Sequence, residues 1–317
     1  MTDKLVLGSY GFGNIGDRAI LYSVLDGIDT DYTVSCYRSD LLDIDGRKRN
    51  YLDPRILLDA FRADEIIIGG EPVLDSNING HLNLLSYFLM TVMVFGKITG
   101  SKIRLESVGF YNPGLWNSLF LKLVRPESSV RDGLSRDNLG DLGLEPELKK
   151  DPALKNTEPV KTVENPDKVL MNVRYLDNDL DQITDREIPR LLELLAPREI
   201  SGFSTQPIHY NIGITIDREK HSDIETMDNL GIETEVDETI QGLEDQVSEA
   251  DLLIAYRLHS IIFAMNQKTP VIAIAYHPKV NALCDRYGIP CIDLEDLTAE
   301  KIVDTLEDMI NRETENS

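Results

Sequence analysis

Arg257 and His259 stand one residue apart in the stretch Ala255–Tyr256–Arg257–Leu258–His259–Ser260. A guanidinium offers a fork of N–H donors that matches a carboxylate or a phosphate and keeps its charge at ordinary pH. An imidazole titrates at a pH of about 6.5 and exchanges protons near neutrality. Together they could clamp an anion and move a proton. The bland alternative is that Arg257 pairs with a surface carboxylate and His259 is a packed ring. The flanking residues bear on the choice. An apolar run, Leu252–Leu253–Ile254, precedes the pair, and a second, Val271–Ile272–Ala273–Ile274–Ala275–Tyr276, follows it. Strand, short turn, helix, strand is the predicted order, so both side chains sit where a strand ends and a helix begins. Open α/β sheets bind ligands at that edge, and a helix N-terminus beside an Arg is an anion site.

A second chemical feature lies near the start of the chain. Gly11-x-Gly13-x-x-Gly16 follows the strand predicted at Lys4–Gly8 and opens a helix from about Arg18 to Leu25. The spacing matches the dinucleotide fingerprint. However, the strand Tyr32–Tyr37 ends near Arg38 and Ser39 and not at an acid that would hold a ribose. The glycines therefore argue only weakly for NAD and better for a loop that meets a ligand or phosphate through its backbone. Asp17 follows, either as a helix cap or as a substrate contact. A strand over Asp64–Ile68 runs into Gly69–Gly70, with Glu71 and Asp75 just beyond. No His or third carboxylate is spaced to complete a cation site there, so no metal is expected.

These features need elements to position them. Continuous apolar runs bounded by glycine predict buried parallel strands, and they alternate with helical periodicities at Ile56–Phe61, Leu82–Phe95 and Leu115–Leu123. Strands at Lys102–Gly109 and Ser128–Asp132 and a helix at Leu134–Leu139 continue the pattern. The stretch from Lys149 to Lys168, with Pro152, Pro159 and Pro166, reads as an interdomain linker. After it the alternation restarts, with a strand at Lys168–Arg174, a helix at Arg186–Leu195, a strand near Glu199–Ser204, and helices at Asp223–Leu230, Thr239–Glu249, Asn281–Tyr287 and Ala299–Asn311. The fold class is α/β with parallel sheets. Two domains are expected, residues 1–155 and 156–317, with a ligand cleft between them.

The chain has 317 residues, of which Lys+Arg number 32 and Asp+Glu 55, a formal net charge of -23. Such a surface repels nucleic acid, which disfavours a DNA- or RNA-binding role. As a hypothesis, the spread of acid is an adaptation to a high-salt cytoplasm; stability insensitive to molar salt would remove it. An anionic substrate must be drawn in by a local cluster of Arg and Lys against this field. Cys36, Cys284 and Cys291 have no metal spacing and read as free thiols of a reducing compartment. No signal peptide is read at the start. The Leu82–Phe95 run is shorter than the roughly 20 residues that span a bilayer, and a buried helix is expected. The expected location is cytoplasmic, with peripheral contact at the inner membrane surface as an option.

Taken together, several motifs carry a family resemblance. They are Gly11–Phe12–Gly13–Asn14–Ile15–Gly16–Asp17, Gly69–Gly70, Val130–Arg131–Asp132 with Ser135, Asp151–Pro152–Ala153, Arg257–Leu258–His259 with Phe263–Ala264, and Pro270–Tyr276 with Pro278–Lys279–Val280. In this order, and over nearly the whole chain, the set resembles the polysaccharide pyruvyl transferase family. The resemblance implies two Rossmann-like domains in a glycosyltransferase-B-like arrangement, the first on the acceptor side and the second on the donor side. It implies transfer of a pyruvyl group from phosphoenolpyruvate to a sugar as a cyclic ketal, in surface polysaccharide or glycoprotein glycan biosynthesis, with no cofactor. Arg257, Leu258 and His259 are then associated with the donor, as is Arg174.

On that reading the donor's phosphate and carboxylate call for guanidinium forks, and Arg257, Arg174 and Arg131 are the candidates, with Lys279 next. His259 is the natural acid toward the methylene carbon, with hydrogen bonding to the phosphate as its competitor. Asp17 or Asp75 would accept the hydroxyl proton. Gly11, Gly13, Asn14, Gly16 and Gly70 would contact the substrate. The saccharide could be lipid-linked, although no transmembrane segment is expected. Two other readings share the architecture: a nucleotide-sugar glycosyltransferase, and a non-catalytic glycan- or phosphate-binding relative.

Overall fold

The computed structural model describes residues 3–70, 74–75, 77–78, 81–112, 114–158, 163, 165–176, 180–207 and 222–314. Glu71, His209 and His221 lie outside them. The chain forms two compact units, and the division falls between Ala153 and Leu154.

Unit 1 holds the strands β1 (Lys4–Leu7), β2 (Tyr32–Cys36), β3 (Arg47–Asn50), β4 (Glu65–Gly69), β5 (Asn77–Ile78), β6 (His81–Leu82), β7 (Lys102–Val108), β8 (Glu127–Val130) and β9 (Glu147–Leu148). Its helices are α1 (Ile15–Leu25), α2 (Ile56–Arg62), α3 (Leu84–Thr99), α4 (Leu115–Val124) and α5 (Gly133–Gly140). Seven strands make one sheet in the order β3-β2-β1-β4-β7-β8-β9, and every pair in it is parallel. β5 and β6 form a separate antiparallel hairpin. Ile66, Ile67 and Ile68 of β4 are fully buried, as expected of a strand covered on both faces. Leu89, Met90, Val92 and Met93 of α3 join the core on Ile66, Ile68 and Leu105. The apolar run that prompted the buried-helix expectation is therefore core. Among the described residues no helix is long and apolar enough to cross a membrane.

Unit 2 holds β10 (Lys168–Asn172), β11 (Glu199–Gly202), β12 (Leu252–Ala255), β13 (Val271–Ala275) and β14 (Cys291–Asp293). Its helices are α6 (Asp181–Leu195), α7 (Asp223–Asn229), α8 (Ile240–Ser248), α9 (Leu258–Gln267), α10 (Pro278–Tyr287) and α11 (Ala299–Thr314). The sheet order is β11-β10-β12-β13-β14, all parallel. The start of the linker is tied to this unit: Lys155 and Asn156 donate their backbone N–H groups to Asn266 Oδ1, at 2.7 and 3.2 Å, near the end of α9.

Two short-range effects move boundaries away from the sequence expectation. α1 starts at Ile15, not Arg18, because Asn14 Oδ1 accepts from the N–H groups of Gly16 and Asp17 and caps the helix. α10 starts at Pro278, since proline suits the first helical position and His277 Nδ1 accepts from Lys279 N–H at 3.2 Å. β3 gave no strand signal at all. Its sequence is Arg-Lys-Arg-Asn, and it lies at the outer edge of its sheet, where charge is tolerated. Arg49 is held by Asp59, at 2.6 Å from Nε and 3.0 Å from Nη2.

Each sheet has one place where consecutive strands leave in opposite directions. In unit 1 it lies between β1 and β4, and in unit 2 between β10 and β12. The crevice at the carboxyl ends of such strands is where open α/β sheets take ligands.

Candidate functional site

Arg257 lies at the switch point of unit 2. It follows β12 and occupies the capping position of α9, in extended conformation. Its backbone N–H donates to Asn172 Oδ1, 3.0 Å away at the end of β10. Its guanidinium grips Asp223 through two contacts, Nε to one carboxylate oxygen and Nη2 to the other at 2.6 Å. Asp223 is fixed in turn by Asn172 Nδ2 at 3.3 Å and Ser204 Oγ at 3.3 Å. Asn172 closes the group by donating to the carbonyl of Phe203 at 3.0 Å. The Arg257 side chain keeps 15% of its exposure and that of Asp223 only 1%. A cation is thus presented at the edge by a buried carboxylate that orients it. His259, two positions on, is 4% exposed in the first turn of α9, and Ser260 beside it is wholly buried.

Tyr276, just past β13, gathers two more cations. Arg174 Nη1 hydrogen-bonds the Tyr276 hydroxyl, and its guanidinium carbon lies 4.8 Å from the ring centroid. Lys279 Nζ lies 5.8 Å from the same centroid. Both contacts are within cation–π range. Three neighbouring strands, β10, β12 and β13, therefore deliver Arg174, Arg257 and the Tyr276–Lys279 pair to one carboxyl edge. Arg257 pairs with Asp223, and Arg174 and Lys279 stand beside Tyr276. A local cluster of cations of this kind can attract an anion even on a chain of net charge -23.

Unit 1 presents glycines and an acid at its own switch point. Gly11 has φ +81°, and a Cβ there would come within 2.7 Å of the backbone of Arg38. Its demand for glycine comes from the chain itself, as Arg38 N–H donates to the Gly11 carbonyl at 3.2 Å. Gly13 also has positive φ, +88°. Gly70 has φ +100°, and a Cβ there would lie 3.8 Å from Asp17 Oδ1 and 3.9 Å from Ser9 N. Asp17 is buried in the first turn of α1, so α1 and the end of β4 meet at its carboxylate. Tyr10 and Tyr51 lie under the loop, and Tyr51 donates its hydroxyl to the Gly8 carbonyl. Burial first, then the neighbouring charges of Tyr51 and Asp17, push the Tyr10 phenol well above its ordinary range. Phe12 stacks on Tyr37 at 5.4 Å and on Tyr51 at 5.8 Å.

Arg131 and Asp75 are engaged within unit 1. The Arg131 side chain is 5% exposed and bonded to Asp151 at 3.1 Å, with Asp132 at 4.0 Å. Arg131 also donates to the Tyr111 hydroxyl at 3.3 Å, and that hydroxyl donates to Asp132 at 2.7 Å. Asp132 caps α5 through Ser135 N–H at 2.7 Å. The Val130–Arg131–Asp132 and Asp151–Pro152–Ala153 motifs thus answer each other inside unit 1. Asp75 Oδ1 accepts from the backbone N–H of Tyr111 at 2.9 Å. Lys279, Arg174, Arg257, Leu258 and His259 gather in unit 2, whereas Gly11, Gly13, Asn14, Gly16, Asp17 and Gly70 gather in unit 1.

Sequence reasoning missed Asp223, Asn172 and Tyr276. Asn172 ends an apolar strand, Lys168–Val169–Leu170–Met171–Asn172, and a buried polar residue at that position was the one readable signal. Among the described residues no group of three His, Cys, Asp or Glu side chains could hold a metal ion.

The family model for polysaccharide pyruvyl transferase matches residues 14–278. No curated protein matches the sequence. Among solved structures, a UDP-GlcNAc 2-epimerase from Methanocaldococcus jannaschii is 13% identical with a TM-score of 0.59, over 98% of this chain and 93% of that one. A putative UDP-N-acetylglucosamine 2-epimerase from Listeria monocytogenes is 12% identical with a TM-score of 0.61, over 99% and 89%. MurG from Acinetobacter baumannii is 13% identical with a TM-score of 0.54, over 99% and 92%. At such identities the likeness shows the fold alone, two α/β domains of the glycosyltransferase-B type.

Proposed function

This chain belongs to the polysaccharide pyruvyl transferase family, and we propose that it moves a pyruvyl group from phosphoenolpyruvate to two hydroxyls of a saccharide, in the synthesis of a surface polysaccharide or glycoprotein glycan. The observation that carries the reading is the convergence of Arg257, Arg174 and Lys279 on one sheet edge, with His259 next to the first. A donor with a carboxylate and a phosphate asks for that set: a fixed fork for bidentate bonding and further cations for the remaining charge.

The proposed chemistry runs through the C2–C3 double bond of the donor. His259 delivers a proton to C3, C2 becomes electrophilic, and a saccharide oxygen bonds to C2 as its hydroxyl proton leaves. The second hydroxyl then bonds to C2 and the C2–O bond to phosphate breaks, so phosphate departs with the electron pair and the remaining proton. Arg257, Arg174 and Lys279 hold the phosphate and carboxylate and stabilise the charge on the leaving group. Asp17 or Asp75 accepts a hydroxyl proton.

The test is release of inorganic phosphate from phosphoenolpyruvate in the presence of a panel of saccharide acceptors. Acceptor-dependent release is expected. Absence of release with every acceptor, together with thermal stabilisation by a nucleotide sugar, would replace this reading with sugar transfer.

A further inference from the structure

The helix α4 is apolar on two sides. Asn117, Leu121 and Val124 turn inward and are buried, whereas Leu115, Trp116, Leu119 and Leu123 are 80%, 58%, 55% and 65% exposed. Their spacing of i, i+1, i+4 and i+8 sets them on one stripe, about 100° wide. α3 packs against α4, and Ile98 in its last turn is exposed as well. The charge pattern changes at the same place. Residues 76–126 contain one acidic residue, Glu106, against five basic ones, Lys97, Lys102, Arg104, Lys122 and Arg125, in a chain with 55 acids in 317 residues. Lys97 and Lys122 are exposed, each next to the apolar stripe in sequence. The start of α4, with Leu115 and Trp116, follows β7 and so lies at the carboxyl edge of the sheet, the same edge as the loop of Gly11, Gly13 and Gly16.

We propose that this face seats unit 1 on an anionic lipid bilayer. The stripe enters the headgroup layer, and Lys97 and Lys122 meet lipid phosphates. A helix with a large apolar stripe, a Trp and flanking Lys is the form that lies in a membrane interface, and the indole suits a zone with one apolar and one wet side. Charge separates this occupant from a second copy of the chain. A two-fold contact would set the same patch against itself and bring Lys122 toward its own counterpart. The acid elsewhere on the chain does not forbid approach, because at about 1 M salt the screening length is about 3 Å and only groups at the contact count. The inference stands on the exposed face and the local charge, independently of the reaction.

Trp116 is the only tryptophan in the chain, so its emission reports on this face alone. The experiment adds vesicles of phosphatidylcholine, or of phosphatidylcholine mixed with phosphatidylglycerol, to the full-length protein in molar KCl. Expected are a blue shift of the emission and flotation of the protein with the mixed vesicles. Leu119→Glu combined with Leu123→Glu keeps the reporter and should weaken vesicle binding roughly tenfold or more. Lys97→Glu combined with Lys122→Glu should remove the preference for the anionic lipid. Unchanged emission and no flotation of the wild-type protein with either vesicle overturns the proposal without recourse to a variant. A blue shift that appears without vesicles, grows with protein concentration and accompanies a doubled mass also overturns it, in favour of a second copy.

Discussion

Two arginines, one in each unit, stand just past the end of a parallel strand and next to a buried carboxylate, yet they are built differently. Arg131 is surrounded by Asp132, Asp151 and Tyr111, and its side chain is 5% exposed. Arg257 is bonded to Asp223, and its side chain keeps 15% of its exposure. The first is paired from several sides, so its charge is consumed in holding two loops together. The second is gripped through one edge of its fork and presented at a switch point beside Arg174 and Lys279. The lesson is that an Arg at a strand end is read by its partners. A cation tied to two acids is a clamp, and we read the cation bonded to Asp223, within the polar scaffold of Asn172 and Ser204, as the one offered to a ligand.

The comparison can be broken most sharply at the clamp. Arg131→Ala strands Asp132 and Asp151, and removing one partner of a buried pair costs about 3–5 kcal/mol. A fall in melting temperature on the order of 10 °C is expected, read by circular dichroism. An unchanged melting temperature with lost activity would move Arg131 into the site. Next in size is Arg257→Lys, which keeps a charge facing Asp223 and loses the fork. Phosphate release should fall about 100-fold, the loss of roughly one well-placed donor in a polar site, with a melting temperature close to that of the parent. If release held while stability fell, Arg257 would be a second clamp.

The smallest effect sharpens the glycine loop. The Tyr10 hydroxyl is buried without a hydrogen-bond partner among the described residues, and its phenol is pushed well above the usual range, foremost by burial. A folded-state value above the unfolded one means that stability is present below a pH of about 10 and is lost as pH rises beyond it. Tyr10→Phe should leave stability at neutral pH unchanged or raised by about 1 kcal/mol. It should also make the alkaline loss shallower, though not abolish it, because Tyr51 is shifted in the same direction. Urea midpoints at neutral and alkaline pH measure both, and parallel curves for parent and variant would show that Tyr10 ionises as freely folded as unfolded.

Much of this was legible in the residues. The runs Leu252–Ala255 and Val271–Ala275 could only be buried strands, and the turn after the first had to carry Arg257 and His259 to the carboxyl edge. Asp223 was not legible, because it lies 34 residues from its partner and nothing in a stretch of acids marks which one will fold back. The amphipathic reading of Leu115–Leu123 found the helix but not its outer face. Periodicity reports that apolar residues recur, and α4 has them on both sides, so one face was taken for the whole. Asn14 was read as a substrate contact, and its cap on α1 is a local bond that the Gly-rich pattern did not reveal.

β3 has a consequence for the history of the chain before it is folded. Its residues, Arg47, Lys48, Arg49 and Asn50, terminate a seven-stranded sheet whose next member would have to be another molecule. An approaching copy of the same strand meets like charge along its length, although Asp59 pairs closely with Arg49 at 2.6 Å and more loosely with Arg47 at 3.9 Å. An open sheet edge invites templated growth, and a row of cations discourages it. The strand that looks least like a strand thus keeps a crowded population of half-made molecules from adding to one another.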